Sequence, residues 1–328
     1  MYFGESRRWP EPAPGVFELF ATHPHASTDP GDLTTRYIRD ITTWDGDGTV
    51  KLYTAYGSIS ANVAPIYVTP LSLGGTWSAD AWAFNAYEMQ KFVHWSDGQM
   101  MACGGDGPSD WFRARPSVSG APPVYIDGWC SPKGFIHPMT MVEHDGYMWV
   151  SGASSGPGGG AVWRGTHETG NDGAFVLQPL IGWFNSCMFS FQSKLWFQEE
   201  GGTQLKYWVE ASDTWVATGV NVGDGNCQYR FPWGSVMLLL FGGKLYSFNG
   251  TALTERYGTG DVGLLTVDAD SNVWVYESDT QRFRMSSDLT TWTTKARFPT
   301  SEYIASMYVY EDLLYMGDTH SQIWRTQI

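Results

Sequence analysis

Short apolar runs, each entered through a turn rich in Asp and Gly, recur along this chain at a regular interval. The unit is clearest in Asp145-Gly146-Tyr147-Met148-Trp149-Val150-Ser151-Gly152, followed by Gly160-Ala161-Val162-Trp163-Arg164-Gly165-Thr166. A tight turn leads into an apolar strand ending in small residues, and after a loop a second strand carries an aromatic in mid-run. The same pair is written at Lys51-Leu52-Tyr53 with Ile66-Tyr67-Val68, and at Met100-Met101-Ala102 with Trp111-Phe112-Arg113. It returns at Lys194-Leu195-Trp196 with Leu205-Lys206-Tyr207-Trp208, and at Val236-Met237-Leu238 with Lys244-Leu245-Tyr246. The last two copies are Asn272-Val273-Trp274 with Arg282-Phe283-Arg284, and Leu313-Leu314-Tyr315 with Gln322-Ile323-Trp324. Anchored on Leu52, Met100, Met148, Leu195, Met237, Val273 and Leu314, the seven copies are spaced by 48, 48, 47, 42, 36 and 41 residues.

A period of roughly 40–50 residues with several strands per copy predicts a β-propeller, here an all-β ring of seven blades. Each copy extends to four strands. Inner strands are expected at residues 36–44, 87–95, 136–144, 185–192, 228–233, 263–268 and 304–310. Outer strands are expected at 76–81, 124–128, 174–180, 214–220, 253–257 and 292–298. Asp97-Gly98 and Asp145-Gly146 supply the positive φ angles of two-residue hairpins. The seventh copy runs out of chain after three strands, whereas residues 16–21 form an unassigned alternating strand near the other end. The economical reading is that this strand completes the last blade and removes an open edge. The expected division is an extended arm over 1–15, with Pro10, Pro12 and Pro14 at alternate positions, and one propeller domain over 16–328.

Composition narrows the partners. The chain has 328 residues, 38 Gly, 17 Trp and a net charge of −14, with Lys supplying only 7 of its 20 basic residues. Such a surface repels phosphate backbones and anionic lipid, so neither nucleic acid nor membrane insertion is expected. No apolar run approaches the roughly 18 residues of a membrane span. Met1–Arg8 has no apolar signal core, which suggests a protein that stays in the cytoplasm until assembly, leaves by lysis, or has lost a leader. Cys187 and Cys227 begin neighbouring inner strands, so they are either buried thiols or a disulfide.

Candidate chemistry is sparse. Asp40, Glu88, Glu143 and Asp268 lie on inner strands of different blades, where a pair facing a sugar would suit glycosidic hydrolysis. As solvated channel groups they would do nothing. His137 and His144 are seven residues apart on one strand, over roughly 20 Å, too far to share an ion. Neither a metal nor a cofactor is expected. Gly156-Pro157-Gly158-Gly159-Gly160 imitates a dinucleotide fingerprint but leads into a strand, where no helix N-terminus meets a phosphate. Asn249-Gly250-Thr251 fits a glycosylation sequon and, equally, a hairpin turn. Loops between second and third strands are long in the early blades (56–65, 104–110, 152–160, 198–203). With the blade-to-blade crossings they define one face, where binding is expected. Trp129, Trp183, Phe184, Asn185 and His137 are the residues expected there, suited to stacking on a sugar or anchoring a protein.

Ser286-Ser287-Asp288-Leu289-Thr290-Thr291-Trp292 resembles the Asp-box (BNR) turn of sialidase-like propellers. Ser286, Asp288, Thr291 and Trp292 match that pattern, its glycine is absent, and the spacing is one residue short. The resemblance implies a structural turn between third and fourth strands. It does not imply sialidase chemistry, which needs three converging arginines, whereas inner strands here carry Arg36, Arg39 and Arg230, two of them on one blade. In its irregular repeats and acidic, Trp- and Gly-rich make-up the chain also resembles small propellers of tailed-bacteriophage virions. That resemblance implies a non-enzymatic recognition or assembly module in a virion or outside the cell. Its partner would be a host-surface glycan or a neighbouring virion subunit, and it would be a homo-oligomer where the virion requires it. The alternatives are a carbohydrate-active enzyme using channel carboxylates and a soluble lectin.

Overall fold

A computed structural model describes residues 13–24, 36–58, 66–79, 82–84, 91–104, 111–117, 121, 123–128, 135–154, 160–165, 176–177, 187–198, 203–223, 227, 229–299 and 303–328. The chain forms seven four-stranded antiparallel sheets, each built of consecutive strands except the last. Blades 1 to 7 start from inner strands Arg36–Trp44, Val93–His94, Phe135–His144, Cys187–Phe191, Tyr229–Trp233, Val262–Val267 and Ile304–Tyr310. A single 3-10 turn lies at Glu210–Ser212.

The repeat anchors explain why the sheets form a ring. Successive side chains on a strand point to opposite faces. In each blade the second strand therefore sends one anchor back to the previous blade and the next residue forward. Leu52 packs in the seam between blades 7 and 1, and Tyr53 in the seam between blades 1 and 2. Met148 and Trp149 split in the same way between blades 2 and 4, as do Leu195 and Trp196 between blades 3 and 5. Val273 and Trp274 repeat it between blades 5 and 7. These strands lie between two sheets, so they read as unbroken apolar runs and not as alternating ones. Seven hydrophobic clusters result, one per seam.

Turns sit where glycine and aspartate placed them: Asp145 and Gly146 adopt φ of 50° and 77°, and Gly98 adopts 85°. At Asn249-Gly250-Thr251 the Asn249 side chain caps its own turn, accepting from the Thr251 and Ala252 amides at 3.0 and 2.9 Å.

The closing strand is Glu18–Thr22. It pairs antiparallel with Gln322–Gln327, Leu19 opposite Trp324 and Ala21 opposite Ile323, with a bulge between. It is the outer strand of blade 7. Arg325 Nε donates to Glu18 Oε1 at 2.5 Å across this pair. Pro14 bridges in parallel to Gln327, so the described end of the arm lies beside the last strand.

One expectation needs correcting. The outer strand of blade 1 is Trp82–Phe84, not residues 76–81. Ser72 to Thr76 instead close a turn through Gly75, and the Trp77 indole donates to the Thr22 carbonyl at 2.9 Å. Trp77 also bridges antiparallel to Leu71 and meets His23 edge-on, so this segment combines a short edge pairing with ring closure. Of the two readings of Cys187 and Cys227, the buried thiols hold: both are free and lie in the seam between blades 4 and 5. Burial and a thiol–thiol hydrogen bond push Cys187 above its ordinary value.

Candidate functional site

Inner strands of all seven blades meet around a central cavity of about 540 Å³. Most of its wall is apolar, including Met141, Phe189, Phe231, Met237, Leu265 and Met307. One side is charged. Lys91, just ahead of the blade 2 inner strand, places Nζ 3.0 Å from Asp40 Oδ1 of blade 1 and 4.8 Å from the centre of the Tyr229 ring. Tyr229 belongs to blade 5, across the ring, so the ammonium spans the channel.

The pair is held from both sides. Asp40 Oδ2 accepts the Phe92 amide at 2.7 Å, so one carboxylate ties two blades through both its oxygens. Burial pushes the Lys91 ammonium down, but Asp40 beside it outweighs that and holds it above its ordinary value of 10.5. Burial raises the Tyr229 phenol, against the pull of Lys91. The Lys91 side chain keeps 31 % of its surface, whereas Asp40 keeps 10 %. Lys91 lines the cavity, so that surface opens onto it.

Nearby polar groups also link blades. His94 Nε2 and Thr42 Oγ1 are 2.7 Å apart, joining blades 2 and 1, and His144 Nδ1 and Ser190 Oγ are 2.8 Å apart, joining blades 3 and 4. Burial lowers both imidazoles from 6.5, despite Asp40 and Asp45 near His94, and Asp145 and Glu210 near His144.

The inner-strand carboxylates are engaged in the same manner. Glu143 Oε2 accepts the Ser96 amide of the neighbouring blade at 2.8 Å, and Oε1 accepts the Ser96 hydroxyl. Asp268 accepts the Asn272 amide and the Trp274 indole, both at 2.8 Å. Glu88 lies outside the described residues. Among the described residues no cluster of three or more His, Cys, Asp or Glu has the geometry of a metal site.

Of the residues expected on the loop face, Trp129, Trp183, Phe184 and Asn185 lie outside the described residues. His137 sits on the inner strand of blade 3, its backbone opposite Ala153, and its side chain is likewise outside the description. Sequence reasoning did not find Lys91 and Tyr229. They are 138 residues apart (229 − 91) and belong to blades that only ring closure brings face to face.

No protein-family model matches the chain, and no curated protein matches it in sequence. Solved structures match its fold. A Staphylococcus aureus virginiamycin B lyase, an inactive variant solved with quinupristin, superposes with a TM-score of 0.67 at 13 % identity over 95 % of this chain and 100 % of its own. The extracellular domain of a hybrid two-component system from B. thetaiotaomicron gives 0.64 at 9 % identity over 96 % of this chain and 43 % of that one. YCF48 from Cyanidioschyzon merolae gives 0.59 at 12 % identity over 91 % and 98 %. A lyase, a sensor domain and YCF48 thus share one ring with this chain, and the ring alone does not decide among their roles.

Proposed function

We propose that this chain is a non-enzymatic recognition module, a propeller holding ligand-contacting loops on a rigid ring. The observation that carries the reading is the commitment of Asp40 and Glu143. Each accepts a backbone amide from the adjacent blade and a second donor beside it. A glycosidase acid must exchange protons with its substrate, whereas these carboxylates hold blades 1, 2 and 3 together.

The finer reading is a phage tail or receptor-binding protein working in the virion or outside the cell. It would engage a host-surface glycan or a virion neighbour through Trp129, Trp183, Phe184, Asn185 and His137. Its support is the acidic, Trp- and Gly-rich composition and the irregular repeat. We also read Ser286–Trp292 as an Asp-box-like turn. Asp288 Oδ1 accepts the Thr290 and Thr291 amides at 2.8 and 2.7 Å, and these hydrogen bonds hold its carboxyl well below the usual range. Leu289 there stands at φ 61° with its side chain buried. In this reading the turn is structural.

A glycan array with a parallel assay for released sugar tests the module. Binding without release is expected. Glu143→Gln should leave binding intact and cost about 1 kcal/mol of stability, the scale of one weakened hydrogen bond. Sugar release by the wild type, abolished in Glu143→Gln, would establish a carbohydrate-active enzyme instead.

A further inference from the structure

The hairpin joining Lys244–Phe248 to Leu253–Tyr257 in blade 5 turns through Asn249-Gly250, the one Asn-Gly pair in the chain. We propose that Asn249 is a site of spontaneous deamidation promoted by the turn itself, which converts it to aspartate and isoaspartate. This is independent of what the loops bind.

The side-chain oxygen Oδ1 of Asn249 accepts three donors: the Thr251 amide and the Thr251 hydroxyl, both at 3.0 Å, and the Ala252 amide at 2.9 Å. These bonds fold the side chain back over its own turn and carry Cγ with it toward the Gly250 peptide nitrogen. Holding the attacking and attacked atoms on one short turn removes entropy that an open chain has to lose. When that nitrogen attacks Cγ, charge develops on Oδ1, where the three donors already point. Donors at about 2.7–3.1 Å from a developing oxyanion are what stabilise acyl transfer. Gly250 stands at φ 95°, and a Cβ there would collide with the Gln192 side chain. The backbone therefore requires glycine, which has no side chain to shield its nitrogen. Asn249 is exposed, so water can enter and ammonia can leave.

The step balances without an oxidant. The Gly250 nitrogen gives its proton to a solvent base and bonds to Cγ, the Cγ–Nδ2 bond breaks, and Nδ2 leaves as ammonia with a proton from water. Water then opens the five-membered imide at one of its two carbonyls, giving aspartate or isoaspartate. Isoaspartate lengthens the main chain by one methylene in a hairpin whose register sets buried Phe248 opposite Leu253. It also shifts the Asn249 carbonyl, to which Gln192 of blade 4 donates at 3.2 Å. Conversion thus loosens a contact between blades 4 and 5 and adds a negative charge to a chain already at −14.

Full-length protein kept at mildly alkaline pH, native and unfolded in urea, tests this by peptide mapping with mass spectrometry and by isoaspartyl methyltransferase labelling. Conversion at Asn249 is expected to run several-fold faster in the native chain than in the unfolded one. Thr251→Val, which removes the hydroxyl donor and keeps the amide, should slow the native rate about tenfold, less than in a closed oxyanion hole because water reaches the turn. Thr251→Ser, which keeps the hydroxyl, should retain the native rate. A native rate equal to or below the unfolded rate would show that the turn protects the pair and would overturn the proposal. An unchanged native rate in a Thr251→Val protein that melts like the wild type would overturn it as well.

Discussion

His94 and His144 are the residues at which acid should first be felt. Each imidazole is hydrogen-bonded across a seam and held by burial below 6.5. In the folded protein they therefore bind fewer protons than in the unfolded chain once the pH drops below about 6.5. Stability rises with pH wherever the unfolded state binds more protons. Their contribution is thus complete above that value and is lost as the pH falls through the window toward their lowered folded pKa values. Glu277 and Glu210, both held below 4.5, withdraw their contribution only at lower pH still. Melting temperatures at pH 7.5 and 5.5 should differ measurably in the wild type, and clearly less in the double variant His94→Gln/His144→Gln. Equal drops in both proteins would assign the acid sensitivity to other groups.

At the scale of the element, one local rule recurs in two hairpins. Asp268 accepts the amide four residues on and the indole of Trp274 six residues on. Asp318 does the same with Gln322 and Trp324, at 2.9 and 2.8 Å, and also takes the His320 amide at 2.8 Å. Asp318 has no exposed surface, so its removal leaves three part-buried donors without their acceptor. Asp318→Ala should cost about 2–4 kcal/mol, and Asp268→Ala, half-exposed, less. Asp318→Asn should recover part of the loss, because its amide oxygen still accepts from the turn while its nitrogen opposes the indole N–H. Denaturant titration of the three variants decides the order. Such rules made most strands legible: the inner strand of blade 7 and the outer strands of blades 2 and 5 fall at the expected residues. What failed was the outer strand of blade 1, expected at 76–81: Trp77 there makes only an isolated bridge to Leu71, and its indole reaches the Thr22 carbonyl, a contact 55 residues distant. The cavity failed for the same reason. Period-two patterning places Tyr229 on an inner strand but carries no information on which blade it faces.

The whole molecule depends on joining its ends, and its decisive prediction lies there. Without residues 13–24, the strand Gln322–Gln327 becomes an open edge with a row of unpaired backbone groups, a template for pairing between chains. The same deletion strips Phe17 from its contacts with Phe283 and Phe298, at 5.6 and 5.3 Å between ring centres, and Phe20 from Tyr315 at 5.6 Å. It also leaves Arg325, 7 % exposed, without Glu18. Half-burial of two Phe side chains plus a charged hydrogen bond comes to about 3–5 kcal/mol, a large share of the 5–15 kcal/mol typical of a folded domain. A chain beginning at residue 25 should therefore melt well below the full-length protein and aggregate as it does so. A synthetic peptide of residues 13–24 supplied in excess should dock on the open edge and restore solubility and melting temperature in a concentration-dependent way, since it binds only the folded ring. Peptides with Phe17 and Phe20 replaced by Ala should fail to do so, which separates docking in the seam from generic edge pairing. A truncated chain as stable and soluble as the full protein would mean that seven seams suffice without the borrowed strand, and that the pairing of Glu18 with Arg325 decorates the ring instead of closing it.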